Sequence, residues 1–192
     1  MRPRLILMGP IGCGKSSLIR SCLGEDAAKA GGFVTLRRTE GDRLLGFDLA
    51  PARALVAENA PRQCFLDFTG ETRKDNGVFE NFGTQLLAQA GEYPFAVADE
   101  FGGMELENTA FRRALYAFLS GDTPCVGVLK TPQASATLTR RTGLGGNYPA
   151  LYAELKACLE ADPGTELLPV TSWADRHAQA VLEMWAKTYV RT

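Results

Sequence analysis

The sequence predicts a three-layer α/β fold: a mostly parallel sheet with helices on both faces and one inserted β-hairpin. Short apolar runs at residues 5–8 and 95–98 have strand length and no polar alternation, as strands covered on both faces do. Between such runs, apolar residues recur every three to four positions, the period of a helix with one buried side. The two patterns alternate along the chain, the order that builds crossover units on a parallel sheet.

Taken in order, residues 5–8 run into a glycine-rich stretch, after which Leu18, Ile19, Cys22 and Leu23 mark a helix that Gly24 stops. Residues 32–38 and 44–49 are β-prone and flank Thr39-Glu40-Gly41-Asp42-Arg43, a composition suited to a hairpin loop. A short strand at 64–68 precedes a helix carrying Phe79, Phe82, Leu86, Leu87 and Ala90 up to Gly91. Pro94 introduces the apolar strand 95–98, which ends in Asp99-Glu100. Thr109 is placed to cap a helix with Phe111, Leu115, Phe118 and Leu119 inward and Gly121 at its close. A strand at 125–129 leads into 131–147, polar, glycine-containing and too long for a routine connector, which reads as a mobile flap bearing Arg140 and Arg141. Leu151, Leu155, Cys158 and Leu159 mark the next helix and 167–170 the last strand. Ser172 and Asp175 form a capping box for a helix through Val181, Met184 and Trp185. With no repeat or linker, residues 1–192 read as a single domain.

Composition narrows the function. A chain of 192 residues with 45% hydrophobic and 22% charged residues can bury a sizeable core. Lys and Arg number 21 against 22 Asp and Glu, so the basic footprint of a dedicated nucleic-acid binder is missing. No apolar run approaches the roughly 18 residues that span a bilayer, and the reading is a cytoplasmic protein. Five cysteines without a C-x-x-C pair argue against a disulfide framework and a zinc site; Cys22, Cys64, Cys125 and Cys158 read as core fillers. His177, the single histidine, lies far from any motif, which disfavours a histidine-based triad.

Gly9-Pro10-Ile11-Gly12-Cys13-Gly14-Lys15-Ser16 matches G-x-x-x-x-G-K-[ST] and stands between a strand and a helix, where its mechanism needs it. Such a loop cradles phosphates with backbone N–H groups, assisted by the positive end of the following helix. Lys15 would reach the β- and γ-phosphates, Ser16 would be a Mg²⁺ ligand, and Ser17 would contact the α-phosphate. Cys13 occupies a variable loop position or, alternatively, an oxidisable one. Asp99 and Glu100 end a buried strand on the same sheet edge, Asp99 supporting the metal and Glu100 activating water. Arg37, Arg38, Arg112, Arg113, Arg140 and Arg141 are candidates for the cation that phosphoryl transfer requires, with Arg140 and Arg141 first. Phe47, Tyr148 and Trp173 are the aromatic candidates for contact with a base.

These motifs, with Gly32-Phe33-Val34-Thr35, Gly46-Phe47-Asp48 and Asp99-Glu100-Phe101-Gly102-Gly103-Met104-Glu105-Leu106 followed by Phe111, resemble the thermophile-type nucleoside-triphosphatases over about the first two-thirds of the chain. The resemblance implies a RecA-like P-loop core and slow Mg²⁺-dependent hydrolysis of several nucleoside triphosphates, ATP and GTP among them, to diphosphate and phosphate. This chain departs from the family in having Leu36-Arg37 where acids are usual, and Ala174-Asp175-Arg176 where the family has Asn-Arg-Asp. Two other readings stay open: a nucleotide or small-molecule kinase with 131–147 as its lid, and a nucleotide-gated accessory protein with negligible turnover.

Overall fold

The computed structural model describes residues 1–131 and 145–191. Among these residues eight strands form one sheet in the order β5-β4-β3-β2-β6-β7-β1-β8. They are β1 (Arg4–Met8), β2 (Ala30–Glu40), β3 (Arg43–Pro51), β4 (Gln63–Asp67), β5 (Arg73–Lys74), β6 (Phe95–Phe101), β7 (Cys125–Leu129) and β8 (Thr165–Pro169). β1 lies between β7 and β8, and β6 between β2 and β7, all parallel. β2 to β5 pair antiparallel. The expected hairpin is therefore the first part of a four-stranded antiparallel extension, and β2 and β3 run longer than the β-prone residues alone indicate.

The three layers follow from period-2 alternation. Leu5 and Leu7 of β1 face one side with Val34, Ala50 and Val97, where α1 (Lys15–Leu23) and α5 (Arg176–Tyr189) pack. Ile6 faces the other with Phe33, Leu49 and Ala98, covered by α2 (Thr84–Gln89), α3 (Thr109–Leu119) and α4 (Tyr148–Ala161). On that second face Phe111 meets Phe33 and Phe79 edge-on, with ring centroids 5.6 and 5.4 Å apart. A Cβ on Gly83 would come within 2.8 Å of the Phe111 ring, so the helix turn at Phe79–Gly83 approaches closely because it has no side chain there. Truncating a ring so enclosed costs about 3–5 kcal/mol.

Local chemistry differs from expectation at several points. Asn108, not Thr109, caps α3, its side chain accepting the Phe111 N–H at 2.9 Å. Asp175 is itself the cap of α5, accepting from the Ala178 N–H at 3.1 Å, so no capping box with Ser172 forms. Cys158 is exposed, not core, because it falls on the outer face of α4. Cys64 is half-buried and its sulfur accepts from Arg38 at 2.9 Å.

Candidate functional site

All five parallel strands end at one edge of the sheet, and the loops there carry the predicted residues. The loop after β1 turns twice through left-handed backbone, at Gly12 (φ 75°) and Gly14 (φ 96°), conformations a side chain would disfavour. Gly14 also lies against the segment after β8: a Cβ there would stand 2.6 Å from the Cβ of Trp173. Helix α1 starts at once, with Gly14 as its N-cap, so the amides of its first turn have no intrahelical acceptor and point out of its positive end.

Lys15 is nine-tenths buried and donates to the carbonyls of Gly9 and Pro10 at 2.9 and 2.7 Å. It also approaches the Cys13 sulfur at 3.6 Å, and that thiol reaches the Val170 carbonyl, so Cys13 packs under the loop. The Ser16 hydroxyl donates to Asp99 Oδ1 at 2.9 Å, bridging the loop after β1 to the end of β6 across the intervening β7.

Asp99 is buried, and its carboxyl is pushed up to about 7 by loss of solvent and then by the neighbouring Glu100 charge; the Ser16 hydrogen bond and the charges of Lys130 and Lys15 pull the other way. Glu100 follows in left-handed backbone (φ 66°), where the β6–β7 register shifts between Ala98 and Phe101. A bulge of this kind re-aims a side chain. Here Asp99 stays buried while Glu100 lines a cavity of about 350 Å³ with Gly12, Gly14, Lys15, Ser16, Ser17, Thr35 and Arg37.

Of the candidate arginines among the described residues, Arg37 alone lines that cavity. Arg38, one residue on and therefore on the opposite face of β2, faces Asp48 and Asp67 at 3.9 and 3.8 Å. Arg112 donates to the Leu106 carbonyl at 2.6 Å, and Arg113 is exposed on α3. Arg140 and Arg141, with most of the expected flap, lie outside the described residues. Phe47 is buried, stacked on Phe65 at 6.2 Å, and Tyr148 is buried with its hydroxyl donating to the Gly102 carbonyl at 2.9 Å. Trp173 is 70% exposed. His177 is exposed on α5.

The sequence reading missed Lys130 and the setting of Glu105. Glu105 Oε1 accepts the Gly103 N–H at 2.6 Å and holds the turn after Glu100, while its buried Oε2 has no hydrogen-bond partner among the described residues. Lys130 follows β7, and its ammonium and Glu105 Oε2 each lie 3.0 Å from where a Gly103 Cβ would stand. The rule that located Asp99 and Glu100, polar residues closing a buried parallel strand, applies equally to Lys130.

Ser16, Asp99 and Glu100 form a hard oxygen donor set of the kind Mg²⁺ takes, and no group of three or more His, Cys, Asp or Glu among the described residues makes an all-protein metal cage. That combination fits a cation that takes part of its shell from substrate phosphates and water.

Comparison with known proteins agrees with this layout. The structure is similar over 97% of its length to 98% of THEP1 from the hyperthermophile Aquifex aeolicus, with TM-score 0.61 and 18% identity. It is similar over 83% of its length to 98% of a human cancer-related nucleoside triphosphatase, with TM-score 0.52 and 23% identity. No curated protein matches the sequence. The model of the family described as NTPase matches residues 4–145, from β1 through the acid-bearing strand and beyond β7. The chain belongs to that NTPase family, and it is a nucleoside triphosphatase with the three-layer P-loop fold.

Proposed function

We propose that the protein is a Mg²⁺-dependent phosphohydrolase that converts nucleoside triphosphates, ATP and GTP among them, to diphosphate and phosphate. The observation that carries this is the shared cavity: the Gly12 to Ser17 loop and Lys15 on one side, Glu100 on the other, with the Ser16–Asp99 hydrogen bond joining the two. The backbone N–H groups of the 9–16 loop, which Pro10 alone lacks, bind the β- and γ-phosphates, and Ser17 borders the α-phosphate. Lys15 exchanges its hydrogen bonds to Gly9 and Pro10 for phosphate oxygens, which its three donors allow.

When bound, Mg²⁺ neutralises charge on the phosphate oxygens. Ser16 would hold it directly and Asp99 through a water, both from positions the fold fixes. Glu100 orients a water toward the γ-phosphorus and takes its proton as the new P–O bond forms; the bridging P–O bond breaks and the diphosphate leaves with its electron pair. Arg37 supplies positive charge in cis at the cavity wall, where it has no ion-pair partner among the described residues. Among the described residues no helix is long and apolar enough to cross a membrane. The five free cysteines support placing the protein in the cytoplasm.

Phosphate release from a panel of nucleoside triphosphates with Mg²⁺ and no acceptor tests the reading. Release is expected from several of them, roughly a hundredfold to a thousandfold slower in Arg37→Ala. Nucleotide binding without phosphate release from any would overturn hydrolysis, and turnover only on adding an acceptor would make the protein a kinase.

A further inference from the structure

A second cavity, of about 440 Å³, adjoins the first and shares Ser17 with it. Its walls come from the flank of α1 that meets α5 (Leu18, Ser21, Cys22), from α5 (Gln179, Leu182, Glu183) and from Trp173. Trp173 is a large exposed aromatic at 70% exposure, and its backbone and Cβ rest against Gly14 of the phosphate loop. The loop that carries it is fixed at both ends. Thr171 donates from its N–H and hydroxyl to Asp175 at 3.3 and 3.2 Å, and Gln179 Nε2 donates to the Trp173 carbonyl at 3.0 Å. An exposed indole so held loses little freedom when it covers a ligand, which is the condition for a stacking platform.

We propose that this second cavity is the nucleobase subsite and that the base stacks on the Trp173 indole, with the ribose passing over Ser17. The inference rests on the phosphate site proposed above, because the continuity at Ser17 makes the occupant the far end of the same nucleotide. Of the polar side chains around the cavity, Gln179 is engaged with the Trp173 carbonyl and Glu183 with Arg191 at 3.1 Å, which leaves the small hydroxyls of Ser17 and Ser21 beside the indole. Stacking therefore dominates recognition, and the larger purine face binds more tightly than a pyrimidine.

The test compares wild type with Trp173→Ala and Trp173→Phe, using inorganic tripolyphosphate, ATP and CTP as Mg²⁺ complexes and calorimetry as the readout. Alanine keeps the Cβ, Cα and N that touch Gly14, so the loop contact survives while the ring is removed. The affinity of ATP relative to tripolyphosphate should fall roughly five- to one-hundred-fold in Trp173→Ala and recover in Trp173→Phe. ATP should also quench wild-type tryptophan fluorescence where tripolyphosphate does not, since the other tryptophan, Trp185, is fully buried with its N–H on the Pro3 carbonyl. If wild type binds all three ligands and the ATP-to-tripolyphosphate ratio is unchanged in Trp173→Ala, the base subsite is overturned and the phosphate site stands. If wild type binds none of them, the phosphate site fails and the base subsite with it.

Discussion

The turns after β1 and β6 both leave a buried parallel strand through left-handed backbone, but they do so with different residues. After β1 the positions are Gly12 and Gly14; at the end of β6 the first is a glutamate, Glu100, the strand's last residue but one, followed two residues later by Gly102. Glycine adopts that conformation without steric cost, whereas a side chain there costs about 1–2 kcal/mol. The difference follows from what each turn presents. In the proposed mechanism the first offers backbone amides to an anion, so side chains would obstruct it. The second offers a carboxylate, so a side chain is required, and strain is accepted to aim it.

The largest expected effect comes from placing a side chain in the first turn. Gly14→Ala combines a disfavoured φ with a Cβ 2.6 Å from that of Trp173, and it should abolish nucleotide binding in calorimetry while leaving a folded protein. Binding within a few-fold of wild type would show that the loop does not need glycine there. Next is Asp99, whose carboxyl is raised to about 7 chiefly by burial. A raised carboxyl favours folding at low pH, and that contribution is lost as pH climbs from the ordinary aspartate value through about 7. In metal-free protein, Asp99→Asn should therefore be more stable than wild type by roughly 1–4 kcal/mol at about pH 8, with the gap closing toward about pH 4. Denaturant unfolding at the two pH values checks this, and a gap that stayed constant or widened toward acid would contradict it. The smallest effect is at the second turn itself: Glu100→Gly should raise stability by about 1 kcal/mol by relieving the backbone. An equal loss of stability would show that no strain is held there.

Much of this site was legible because its parts obey local rules. Gly9 to Ser16 is a string whose spacing states its own geometry, and an apolar run closed by two acids identifies a parallel strand meeting the functional edge. What stayed illegible depends on register and tertiary packing. Arg37 and Arg38 are neighbours of identical type, and only the pairing of β2 with β3 and β6 decides that Arg37 faces the cavity while Arg38 faces Asp48 and Asp67. The left-handed Glu100 leaves no sequence signal, because glutamate gives no hint of positive φ. β5 is two residues long, below any periodicity. Trp173 could be named as a candidate but not chosen over Phe47 and Tyr148 until packing buried the other two.

The division of labour between the two turns is tested most directly by Glu100→Gln, measured for nucleotide affinity and for phosphate release on the same preparation. Affinity should stay within about twofold of wild type while release falls roughly a hundredfold to ten-thousandfold, because the amide cannot take the proton of the attacking water. Release at the wild-type rate, or loss of binding as complete as in Gly14→Ala, would contradict the assignment of binding to the first turn and chemistry to the second.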